Sequence, residues 1–309
     1  MCSLIDKLLL QTNNTECAKK GTAYVCGYIN VFQYLEEAVA TVEAGDGCVE
    51  QLDGCTYASE AWDKAVAFFV GSLEGVDGGN DPNGKPGSGG TYGNQLYALA
   101  DKRCDDYRTC SASGDTANRG TPSKANILTI GLFQQGAAAI YAGDVDNARK
   151  IIKNINTQAA VPLIQATLRY AWRLGQGSTK DKEVAEGGTF AAGALPQLWK
   201  CDKKAAKVVF KELQIGSDRV NNGKSNFSKV LRAFECNYEC LGITCEQIGA
   251  LYDGDEFDEV PNLGFLDPTV DPRFPKCTDR PNLCKKLKGK GKKRCKKFTS
   301  NPNKQDFGL

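Results

Sequence analysis

Glu60, Asp63 and Glu186 are the side chains with which this sequence could do chemistry, together with the adjacent Arg169 and Tyr170. Glu60 and Asp63 lie three residues apart and meet on one face of a helix. Carboxylate and phenolate oxygens are hard donors. As a set they suit ferric iron, and the carboxylates alone also suit calcium. Two close carboxylates withdrawn from water require a cation or a proton. Arg169 could brace a carboxylate or hold an anion that completes a metal's shell. Glu36, Glu37 and Glu43 form a second rank of donors. Each residue also has a plainer reading. Glu60 and Glu186 fall near helix N-termini, where acids favour the dipole. Asp63 can pair with Lys64 or another cation, and Tyr170 can be a core aromatic with its hydroxyl satisfied. Spacing leaves open whether the donors converge.

Other chemistries are narrower. The 309-residue chain contains no histidine, which removes Ser-His-Asp and Cys-His arrangements and any histidine metal site. A carboxylate pair could hydrolyse a glycoside, but no sugar-stacking aromatic pattern accompanies one. The expectation is therefore a protein without catalytic residues. A net charge of +2 gives no global pull toward nucleic acid. Fourteen cysteines, closely spaced at Cys48/Cys55, Cys104/Cys110 and Cys236/Cys240/Cys245 and without any CxxC pair, read as disulfides of an oxidising compartment. Sequons at Asn13 and Asn226 agree with an extracellular or periplasmic location and glycosylation. Met1–Lys7 has no apolar leader core, so the expectation is a leader already removed or a fragment. No stretch approaches the roughly 20 apolar residues of a membrane span.

The elements that must position the donors are helices. Trp62, Val66, Phe69 and Leu73 keep helical spacing over Ser59–Gly75, with Ser59 as N-cap and Gly75 as stop. Helical patterns also cover Tyr28–Glu43, Asn94–Asp106, residues 124–141, a segment capped by Asp144, one opened or kinked by Pro162, Glu183–Leu195, Lys203–Leu213 and Phe227–Cys240. Gly131 and Gly136 suggest close helix contact. Period-two, β-branched runs are almost lacking. The predicted fold is an all-α, disulfide-braced multi-helix bundle with an extended C-terminal tail. Its parts are a stapled segment over 1–27, a helical domain over 28–250, and an acidic, Pro-rich linker with a basic tail over 251–309. The glycine-rich loop 75–90 is a solvated excursion or a flap over a site.

The helical domain also invites reading as two pseudo-repeated halves. Leu96–Cys104 with Cys110 matches Leu231–Cys240 with Cys245, and Phe68 aligns with Phe190; chance likeness of amphipathic helices is the alternative. The lysine-rich run 285–297 is a solvated tail or a contact for anionic polysaccharide, a membrane surface, silica or nucleic acid.

Four ordered stretches resemble the algal iron-assimilating, low-iron-inducible periplasmic protein family. They are the Trp62-Asp-Lys-Ala-Val-Ala-Phe-Phe-Val-Gly-Ser72 run, Leu96–Cys104, Val161–Ala171 and Ala185–Pro196. The tail looks like the start of a basic, cysteine-rich module found at the ends of secreted algal proteins, cut short here. The resemblance implies a secreted helical protein tied to iron uptake, with ferric iron as cargo and a cell-surface or membrane uptake system as partner. It supplies no reaction and no ligand set. The rival expectation is a non-catalytic structural or adhesion protein of the cell surface.

Overall fold

Residues 15–45, 56–71, 95–110, 122–249 and 251 are described by the structure, a computed structural model. Among them it is all-α without strands, as the sequence pattern predicts, and the isolated bridge Cys110–Ser123 is the sole extended pairing. The chain forms two compact units, Met1–Ala166 and Thr167–Leu309. The boundary falls within one long helix.

In the first unit α1 (Thr15–Lys20) passes through a π-helical turn, Gly21–Cys26, directly into α2 (Gly27–Glu43). Gly27 keeps helical dihedrals, so nothing separates residues 15–27 from the helix that follows. α3 (Thr56–Val70) packs along α2. Its buried stripe is Ala58, Ala61, Trp62, Ala65 and Phe69. That stripe begins a turn earlier than expected, which draws the helix start to Thr56 and leaves Ser59 inside the helix rather than at its cap. Gly71, at φ +88°, ends it in place of Gly75. Leu73, Glu74 and the glycine-rich loop lie outside the described residues.

α4 (Leu96–Tyr107) ends on Arg108, a non-glycine residue in the left-handed region, inside the loop closed by the Cys104–Cys110 disulfide. Ser123 caps α5 (Lys124–Tyr141) by accepting from the Asn126 N–H. Gly136 lets α5 lie against Trp62, because an added Cβ would stand 2.1 Å from the indole. Gly131 faces open space, so only one of the two α5 glycines marks close packing.

Asp144 caps the next helix, accepting from the Asn147 N–H at 3.1 Å. That helix, α6 (Val145–Gly175), runs unbroken through Pro162 where the sequence suggests two. Proline removes one backbone bond, but the buried residues Ile155, Ala159, Leu163 and Ile164 on either side of it hold the helix by packing.

The second unit continues with α7 (Asp181–Cys201), α8 (Lys203–Leu213), α9 (Asp218–Asn221), α10 (Phe227–Glu235), α11 (Tyr238–Leu241) and α12 (Cys245–Ile248). α7 continues past Pro196, which is exposed. The Phe227–Cys240 pattern breaks at Asn237, whose side-chain amide takes the Ala233 carbonyl. Cys201–Cys240 ties the end of α7 to α11 across 39 residues. The sequence alignment of halves matched Cys240 with Cys245 to Cys104 with Cys110, but Cys240 is bonded to Cys201 instead.

Candidate functional site

The apolar stripe of α3 turns its opposite side to solvent, and Glu60 and Asp63 stand there, both exposed. Trp62, buried between them in sequence, donates from Nε1 to the Phe133 carbonyl at 3.0 Å and so fixes the helix's rotation. Lys64 does not pair with Asp63. Its amine lies 5.9 Å from the centre of the Tyr34 ring on α2, and that ring stacks on Phe68. Among the described residues no ion pair engages Glu60 or Asp63. Of the second-rank donors, Glu37 is likewise exposed and without an ion pair among the described residues, but Glu36 and Glu43 are treated differently. Arg149 holds Glu43 at 2.9 Å and Glu36 at 3.2 Å. An arginine fork saturates carboxylate oxygens that a metal would use.

Glu186, Tyr170 and Arg169 belong to the second unit. Glu186 is 3% exposed on α7 and Tyr170 is 8% exposed on α6. The Tyr170 ring stacks on Phe190 at 5.8 Å, so it is a core aromatic. Gly187 permits this approach, since a Cβ there would press on Tyr170 and Leu174 at 3.1 Å. One turn before Glu186, Glu183 accepts from Arg173 at 2.7 Å. Burial would raise the Glu183 carboxyl, but hydrogen bonds from Ser178 and Arg173 and the charges of Arg173 and Lys180 hold it below its ordinary range.

The donors therefore divide between an exposed pair in the first unit and a buried set in the second. Among the described residues no group of three or more aspartate, glutamate or cysteine side chains is gathered for a metal ion. Asn226 is exposed, as a glycan acceptor must be, and its side-chain oxygen caps α10 by accepting from the Lys229 N–H. Asn13 and the basic tail lie outside the described residues.

Sequence reasoning missed Glu183 and two further buried acids. Asp101 is 1% exposed. Its Oδ1 accepts from the Ser123 N–H and the Asn126 amide, each at 2.7 Å. Burial pushes this carboxyl up to about 7, with the Asp105 charge adding to it and the hydrogen bonds opposing it. The clue was an acid at position i+4 from Tyr97, on the apolar side of α4. Glu212 is 3% exposed, faces Arg219 at 3.3 Å and Lys229 at 3.6 Å, and accepts from the Asn226 N–H. It pins the start of α10 to the end of α8 and has no free oxygen to offer a ligand.

No helix among the described residues is long and apolar enough to cross a membrane. Comparisons of the chain with protein-family models, curated proteins and solved structures find no match.

Proposed function

We propose that this chain is a secreted, non-catalytic protein that carries ferric iron on carboxylate oxygens for an uptake system at the cell surface. The observation that carries the reading is the state of Glu60 and Asp63. They stand one helical turn apart, exposed and without ion pairs among the described residues, while Arg149 occupies Glu36 and Glu43. The donor type fits a hard trivalent cargo. Two carboxylates do not complete its shell, so water or a small chelating anion supplies the rest. The Cys104–Cys110 and Cys201–Cys240 disulfides support an oxidising location. The four family-like motifs support the link to iron.

Titration of the full chain with ferric citrate tests this. The expected result is stoichiometric uptake that disappears in Glu60→Ala/Asp63→Ala and survives in Glu186→Ala. Uptake no greater than that of an unrelated acidic protein rejects it. Displacement of iron by millimolar calcium would reassign the pair to calcium. A second reading, adhesion to cell-surface material, is favoured by the solvent-facing side of α8.

A further inference from the structure

Helix α8 hides its apolar stripe and shows a basic one. Ala206, Val209 and Leu213 are buried, while Lys203, Lys207 and Lys211, at intervals of four, share the exposed side. Helical rise spaces these lysines about 6 Å apart along the axis. At the end of α7 Trp199 is 43% exposed, with the Lys203 and Lys207 amines 5.8 and 6.0 Å from its ring centre. Phe210, 52% exposed, borders the row. Neighbouring acids do not neutralise it. Asp202, half-buried, caps α8 by accepting from the Lys204 and Ala205 N–H groups and pairs with none of the three lysines, and Glu212 is buried with Arg219 and Lys229. Glu239, beside Cys240, is the exposed acid on the segment bonded to α7.

The geometry points to a binding strip for a linear acidic polysaccharide, formed by Lys203, Lys207, Lys211 and Trp199. A single file of ammonium groups matches a chain that carries one carboxylate or sulfate per sugar. The exposed Trp199 indole, with the Lys203 and Lys207 amines over its ring, leaves its remaining apolar surface to meet a sugar ring. A bilayer fits less well. Interfacial helices centre their apolar residues and flank them with lysines. Here lysines take the centre, Phe210 and Val208 fall at opposite edges, and the apolar stripe is spent on the core. The Cys201–Cys240 disulfide abuts the strip and indicates a compartment where polysaccharide, rather than nucleic acid, is the abundant polyanion. The strip belongs to the second unit and Glu60 and Asp63 to the first, and the proposal does not rest on the iron reading.

Calorimetry of the full chain with polygalacturonate oligomers, in chelator so that iron plays no part, is the test. Wild type should bind with an affinity that falls as salt rises. Lys203→Gln/Lys207→Gln/Lys211→Gln should weaken binding at least about tenfold and lower the slope of log affinity against log salt by about two. The corresponding triple arginine variant should retain binding. Trp199→Ala should weaken binding severalfold and leave the slope unchanged, a signature that a purely electrostatic contact lacks. Unaltered affinity in the glutamine variant overturns the proposal and assigns binding to the 285–297 tail. Absence of binding by wild type, or tighter binding to phosphatidylserine vesicles or single-stranded DNA at equal salt, also overturns it.

Discussion

Asp101 in the first unit and Glu183 in the second are both withdrawn from solvent, at 1% and 7% exposure, yet their carboxyls move in opposite directions. Asp101 is met by neutral donors, a backbone N–H and the Asn126 amide. Glu183 is met by a guanidinium at 2.7 Å. Neutral dipoles at Asp101 recover less than desolvation costs, whereas at Glu183 a hydrogen bond from Ser178, with the hydrogen bond and charge of Arg173 added to it, recovers more. Burial alone therefore does not tell what an acid in this protein does; the full set of donors and charges around it does.

The largest test of that contrast is the pH dependence of stability. The folded-state pKa of Asp101, about 7, lies above its ordinary 3.8. Between those values the native state holds a proton that the unfolded chain has lost, so stability falls as pH rises through this window. Linkage sets the loss at roughly 4 kcal/mol at most. Asp101→Asn should abolish that slope in urea melts from pH 4 to 7, and an unchanged slope breaks the comparison from the first unit's side.

Glu183 carries the opposite sign. Its lowered pKa contributes stability that is present above the ordinary glutamate value of 4.5 and is lost as pH falls through the folded pKa. Arg173→Met should leave a buried carboxylate without its cation and cost about 1–2 kcal/mol, less than a fully buried pair because Arg173 is 34% exposed. Its direct readout is a rise in the Glu183 pKa by carbon-detected NMR; a value that stays low would mean that Ser178 suffices. The smallest effect belongs to the exposed fork of Arg149 on Glu36 and Glu43. Arg149→Ala should leave the melting temperature unchanged within error. If Glu36 and Glu43 are iron donors once released, the same variant gains iron uptake.

A second parallel joins the units at the level of packing. Phe68 stacks on Tyr34 at 5.4 Å and Phe190 on Tyr170 at 5.8 Å, each phenylalanine meeting a tyrosine of the helix before it. The alignment of Phe68 with Phe190 was readable in the sequence. Their different surroundings were not: Tyr34 and Phe68 are half-buried beneath Lys64, whereas Phe190 is sealed in the core.

Helix periodicity was enough for an all-α body and for the limits Lys203–Leu213 and 124–141, residue type for the Asp144 cap, and cysteine number and spacing for cysteines that pair. These follow from rules that act within one or two turns of chain. Prolines misled because breaking is a local tendency, and burial on both sides of Pro162 outweighs it. Gly131 and Gly136 look alike in sequence because only the neighbour, open space or the Trp62 ring, tells them apart.

The candidate donors show the same limit. Composition determined that no metal here is held by imidazole, since the chain contains no histidine. Tertiary structure alone decided that Glu60 and Asp63 face water, that Glu186 and Tyr170 are enclosed, and that Glu36 and Glu43 belong to Arg149. Residue type limits which bonds an atom can make, but which bonds it does make depends on distant neighbours such as Arg149, 106 residues from Glu43 and 113 from Glu36, and only folding brings those within reach.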